Sequence, residues 1–130
     1  MPILGIGIDL VHIPRISAIL FRNKAERFAT RILSEREFSE WQNLSDEDSV
    51  RAKFLAVRWS VKEAAYKAIY PVARPTWKEF TYCGLHTTCK PSLMYHPLSG
   101  KDNTRTINKI HVSVSHDGEY VYTSVIVEES

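Results

Sequence analysis

The sequence predicts an α+β domain in which a small antiparallel sheet wraps around one long central helix, and three stretches carry that prediction. Ile3 to Val11 alternates as a strand does; Arg51 to Ile69 runs nineteen residues without Gly or Pro; Lys109 to Ser115 and Tyr120 to Val127 alternate again on either side of a turn containing Asp117 and Gly118. Strands at both ends with helical segments between them fit one antiparallel sheet better than repeated βαβ units. At 130 residues, the span 1–130 is expected to be a single domain, too small to enclose a large ligand unaided.

Composition excludes several classes. No run of about 18 apolar residues is present, so no membrane span is expected. A net charge of +2 without any Lys/Arg block gives no reason to expect nucleic acid. The opening apolar run is too short for a secretion signal and holds an acid, so Cys83 and Cys89 are expected to be reduced thiols in an intracellular compartment.

In the first strand, Leu4, Ile6, Ile8 and Leu10 form one apolar face, and Gly5, Gly7 and Asp9 the other. Glycines flanking a strand acid imply close approach by another backbone or a ligand; an edge acid in solvent is the alternative. GIGID lacks the third glycine of a dinucleotide fingerprint, and Pro14 follows soon after. Pro14 suits a first helical turn, and Ile13, Ile16, Ile19 and Leu20 then make a helical stripe with Arg15 and Arg22 off it. A second amphipathic piece, Arg27 to Leu33, adds Arg27, Phe28 and Arg31. That basic surface with interleaved aromatics could dock an acidic helix or simply be solvated. Ser34 to Glu37 reads as a capping box opening a helix with Phe38 and Trp41 inward.

For the long helix, Ser45 to Asp48 supply the N-cap and first-turn acids, and Pro71 ends it. At 100° per residue, Phe54, Val57, Val61, Ala64, Ala65 and Ala68 fill a broad apolar face, while Ala52, Ala56, Trp59, Ser60, Glu63 and Lys67 share a narrow one. Small residues beside a Glu and a Lys leave room for something bulky and charged; an exposed Glu–Lys pair worth a few tenths of a kcal/mol is the plain alternative.

Residues 71–110 are broken by Pro71, Pro75 and Pro91, with Glu79 to Tyr82 and Ser92 to Tyr95 as short strand candidates and Ser99 to Thr104 as a polar loop. Cys83, His86, Cys89 and His96 are zinc-ligand types, but a strand would send the two cysteines one way and the two histidines the other. His116 stands at a strand end beside the terminal turn, where it could reach a ligand or face solvent.

With GIGID near the start, then RFATRIL, FLAVRWSVKEAAYKA and VSVSHDGEY in that order and spacing, the chain resembles the 4′-phosphopantetheinyl transferases, in particular the short holo-acyl-carrier-protein synthase type. The likeness covers the first seventy and last twenty residues. It implies the fold of that family and transfer of 4′-phosphopantetheine from coenzyme A to a serine of acyl carrier protein, with 3′,5′-ADP leaving. By matching motif positions it implies that Asp9 and Glu63 hold Mg²⁺ on the pyrophosphate, that Lys67 neutralises the leaving phosphate, and that Glu63 or a metal-bound water is the general base. It further implies that Arg58, Lys62 and His116, with Ser115 a weaker candidate, contact coenzyme A, and that Arg15, Arg27 and Phe28 meet the acidic helix of the carrier. Short members of the family are usually trimers with sites between subunits.

Two departures from the family pattern stand out. Ile69, Tyr70 and Pro71 follow the long helix where a glycine-containing loop is common, and the segment Pro71 to Lys109 looks like the fungal mitochondrial type, the one reason to expect mitochondria. Rival readings are a non-catalytic module binding coenzyme A or carrier protein, another Mg²⁺-dependent phosphate enzyme, which lacks a P-loop, and a zinc-binding structural protein.

Overall fold

The computed structural model describes residues 2–22, 24–84, 89–98 and 106–130. Strand β1 (Ile3–His12) is followed by helices α1 (Ile13–Phe21), α2 (Ala25–Ile32), α3 (Glu35–Gln42) and the long α4 (Asp48–Ile69). A 3-10 turn (Trp77–Glu79) leads into β2 (Phe80–Cys83) and β3 (Ser92–Tyr95), and β4 (Ile107–Asp117) and β5 (Tyr120–Glu129) close the chain. β1, β5 and β4 form one antiparallel sheet in that order, and β2 pairs with β3 in a second. The predicted fold class is therefore the observed one.

Helix α4 lies across the three-stranded sheet and is its core partner. Leu55, Ala56, Val61, Ala64, Ala65 and Ile69 of α4 and Val121, Val125 and Val127 of β5 are fully buried in one core, each large side chain contributing roughly 1.5–3 kcal/mol by leaving water. The helix starts three residues ahead of Arg51, with Glu47 at the N-cap and Asp48 in its first turn. Ser45 instead accepts a 3.2 Å hydrogen bond from the Glu47 amide. The Ser34–Glu37 capping box forms as the spacing predicts and buries Trp41.

The inward face of β1 differs from what alternation alone suggests. Ile6, Ile8 and Leu10 are 58, 47 and 58 % exposed, and the glycine face meets α4 instead. A Cβ at Gly5 would lie 2.1 Å from the carbonyl oxygen of Ala68, and one at Gly7 only 1.7 Å from that of Ala64. The close approach implied by those glycines is thus made by the backbone of α4, and the branched residues are left on the sheet's outer face beside Tyr122.

At the other end of the sheet, Gly118 takes a positive φ of 56° in the β4–β5 turn, a conformation glycine adopts without a Cβ penalty. The turn also seats α1, because the Glu119 carbonyl accepts a 2.7 Å hydrogen bond from the Ile13 amide.

Candidate active site

Asp9 and α4 build the site together. Asp9 sits two residues beyond Gly7 on the same face of β1, opposite Thr123 of β5, so the close packing at Gly7 carries its carboxylate to the edge of the helix. Ser60 is buried beneath it, its hydroxyl 2.8 Å from Thr123 Oγ1 and 3.5 Å from the Asp9 carbonyl oxygen. One turn further along α4 stands Glu63, half-buried, and one turn beyond that Lys67, exposed. The narrow face read from the sequence therefore runs from the core at Ala52 and Ala56 out to solvent at Lys67, and Asp9 of β1 meets its C-terminal half.

Charge around Asp9 is unbalanced. Lys67 Nζ donates to the Ile8 carbonyl at 2.9 Å and reaches Asp9 Oδ1 at 3.4 Å, leaving Asp9 Oδ2 buried without a partner among the described residues. Burial raises the Asp9 carboxyl above its ordinary range, opposed by Lys67. Glu63 is raised as well, first by burial and then by the neighbouring Asp9 charge. Two carboxylates that disfavour their own ionisation, one with a free buried oxygen, make a site that gains from a cation.

A chain of aromatic rings runs along α4 past Glu63. Phe28 of α2 lies 5.5 Å from Trp59, Trp59 5.1 Å from Trp77, Trp77 6.3 Å from Tyr66, and Tyr66 5.8 Å from Tyr70, all centroid to centroid. Trp77 has no role in the sequence reading. Its local signal is the T-x-x-E spacing of Thr76 and Glu79, which forms a second capping box and fixes the 3-10 turn that carries it.

The predicted docking residues come together. Arg15, Ile16, Ile19, Phe28, Val11 and Trp59 line an open groove of about 310 Å³ between α1, α2 and α4. Ile19 and Phe28 are shared with a neighbouring groove of about 340 Å³ whose rim is Lys24, Arg27 and Arg31.

Known proteins place this arrangement. A family profile described as the 4′-phosphopantetheinyl transferase superfamily matches residues 5–125. The chain belongs to that superfamily. Among curated relatives of this transferase, the holo-[acyl-carrier-protein] synthase of Mycoplasma mobile is 36% identical over 124 residues, 95% of this chain and 89% of the relative. That of Polaromonas sp. is 37% identical over 134 residues, covering 98% of both. A holo-(acyl-carrier-protein) synthase from Bacillus anthracis, solved in complex with CoA (3′,5′-ADP), superposes with a TM-score of 0.76 at 27% identity over 100% of both chains.

Not every residue that the motifs assign to the transferase stands beside Asp9 and Glu63. Lys62 requires a correction: its side chain is completely buried, and Nζ donates to Glu37 Oε1 at 2.5 Å, the Ile32 carbonyl at 2.6 Å and the Trp77 carbonyl at 2.9 Å, so it has no surface to offer coenzyme A. Arg58 lies five residues from Glu63, about 140° around the helix. Its guanidinium packs 3.7 Å from the centroid of Phe54 and 3.5 Å from Glu40 Oε2. His116 is across β5 from β1, paired with Val121 and so about 10 Å from Val11 by strand spacing. Ser115 pairs with Tyr122 and shares the outer face with Leu10, the side of the sheet opposite Asp9. Of the zinc-ligand types, His86 lies outside the described residues, and no group of three His, Cys, Asp or Glu gathers among the described ones.

Proposed function

We infer that this chain is a holo-[acyl-carrier-protein] synthase, transferring 4′-phosphopantetheine from coenzyme A to a serine hydroxyl of apo acyl carrier protein. What carries the reading is the cluster in which Asp9, Glu63 and Lys67 meet, on a chain matched over nearly its whole length by proteins of that name. The serine oxygen forms its bond to the phosphorus bearing pantetheine as the bond from that phosphorus to the bridging oxygen breaks, and 3′,5′-ADP leaves. Lys67, anchored on the Ile8 carbonyl, is placed to offset charge on the departing phosphate. Glu63, its carboxyl raised by burial, suits the role of proton acceptor for the serine.

Mg²⁺ fits the donor set. Asp9 and Glu63 would hold it, the unpartnered Asp9 Oδ2 being the free oxygen, and an ion that binds through one or two carboxylates and takes its remaining ligands from phosphate and water needs no third residue. When bound, it would neutralise charge on the phosphoryl oxygens.

Arg58, on another flank of α4, and Ser115, on the sheet face opposite Asp9, point away from Asp9 in their own protomer; His116 shares the face of Asp9 but stands two strands across from β1; and the outer face of the sheet leaves Ile6, Ile8, Leu10 and Tyr122 in solvent. These observations support a homotrimer in which that face joins copies, so that these residues serve coenzyme A at a site between subunits. Leu10→Lys should then dissociate the assembly in sedimentation and abolish transfer together. Arg15, Arg27 and Phe28 would receive the acidic helix of the carrier protein, and the fungal mitochondrial look of Pro71 to Lys109 supports a mitochondrial location, which organelle fractionation would check.

Intact-mass spectrometry of apo acyl carrier protein incubated with coenzyme A, Mg²⁺ and this chain tests the central reading. A gain of one phosphopantetheine mass, abolished by Asp9→Ala, Glu63→Ala and metal chelation, is the expected result. A folded sample that binds coenzyme A yet modifies none of several carriers would instead be a non-catalytic binding module.

A further inference from the structure

We propose that Lys62 is a positioning residue, which sets the carrier-docking helix α2 and the aromatic rings against the helix that carries Glu63, and makes no contact with coenzyme A. The argument is geometric. Lys62 is entirely buried one residue before Glu63, and each of its three hydrogen bonds goes to a different element. The Ile32 carbonyl, at 2.6 Å, is the last of α2, so the ammonium caps that helix where its unpaired carbonyls and its dipole favour a cation. The Trp77 carbonyl, at 2.9 Å, holds the 3-10 turn whose indole packs on Trp59 and Tyr66, the residues four before and three after Glu63. Glu37 Oε1, at 2.5 Å, ties in α3, and the other oxygen of Glu37 accepts from the Tyr82 amide of β2 at 2.9 Å.

Helix α2 is thereby fixed to α4 at two points one turn apart. Phe28 meets Trp59, and four residues on, Ile32 meets Lys62. A second attachment stops α2 from pivoting about the ring contact, a motion that would turn Arg27 relative to α4. Removing the lysine alone would leave the buried Glu37 carboxylate without its counter-charge, a loss that would be felt as unfolding.

The test therefore uses Lys62→Met/Glu37→Gln, which removes both charges, alongside Arg27→Glu. The inference rests on the transferase reading and on α2 as the docking helix. Steady-state kinetics with a recombinant bacterial apo acyl carrier protein, coenzyme A binding by calorimetry and amide hydrogen exchange are measured on each. For the double variant we expect the KM for carrier to rise about tenfold, the scale of one or two lost charge-assisted hydrogen bonds, with coenzyme A affinity within about twofold and faster exchange along α2. A tenfold loss of coenzyme A affinity with the carrier KM unchanged would make Lys62 a ligand contact and overturn the proposal, as would a folded variant with both constants and the α2 exchange unaltered. If Arg27→Glu is silent, or no carrier is modified at all, the docking or transferase reading has failed on its own, and exchange along α2 then decides the positioning role.

Discussion

Lys67 Nζ stands 3.4 Å from Asp9 Oδ1 and 2.9 Å from the Ile8 carbonyl, so a cation on α4 is held by the backbone of β1. The backbone bond keeps the ammonium beside the site whether or not Asp9 is engaged elsewhere. Lys67→Met should lower kcat by about 10²–10³ while the fold is retained, the scale for removing one group that stabilises transition-state charge. Lys67→Arg should recover part of it, since a planar guanidinium replaces a point charge imperfectly. Single-turnover transfer followed by mass spectrometry measures both.

The acid limb of kcat/KM should lie above the ordinary carboxylate range, because burial raises Asp9 and burial plus Asp9 raises Glu63. Both must be ionised to hold a cation, so activity is lost as pH falls through these raised values. Stability follows the opposite sign. A carboxyl with a raised folded pKa contributes stability that is fully present below the unfolded pKa and is lost as pH rises through the folded one. Metal-free protein should accordingly gain in Tm from Glu63→Gln at pH 8 and gain nothing at pH 4. Thermal melts at the two pH values check it.

Gly7→Ala should be among the most damaging single-atom additions in the chain. Its Cβ would meet the Ala64 carbonyl oxygen at 1.7 Å, and neither partner is a side chain that can swing aside. A loss of about 3 kcal/mol or more is expected in urea unfolding, with Gly5→Ala the milder of the two because its clash is 2.1 Å.

Ser34→Ala should cost about 1–2 kcal/mol. The Ser34 hydroxyl caps the Glu37 amide and also accepts from Thr81 Oγ1 at 2.8 Å, so its removal loosens both α3 and β2. Urea midpoints should fall while the KM for coenzyme A stays unchanged, since neither contact faces the site.

What could be read from the residues alone was what local chemistry decides. The Ser34–Glu37 capping box, the span of α4, the glycine turn at residue 118 and the one-turn spacing of Glu63 and Lys67 all follow from neighbours within a few positions. β1 shows where locality ends. Its alternation is plain and its glycines announce a close approach, but the helix that makes it lies about sixty residues away, beyond what local spacing can name.

Lys62 and Arg58 fail to be legible for the same reason. Beside Glu63 in a charged motif, Lys62 reads as a ligand contact, and the carboxylate that claims it, Glu37, is 25 residues upstream. Arg58 likewise finds its partners in Phe54, Glu40 and Tyr82, on the flank of α4 away from Asp9. Helical spacing gave the angles correctly; which flank held the site was decided by where β1 packs.

The contact of β1 with α4 through Gly5 and Gly7 acts as a spacer made of main chain. The separation of the two backbones that carry Asp9 and Glu63 is set by main-chain contact rather than by interdigitating side chains. The hydrophobic residues on the far flank of α4 are thus free to be redesigned for heat tolerance without moving the two carboxylates, whereas any insertion or register slip in β1 would part them at once.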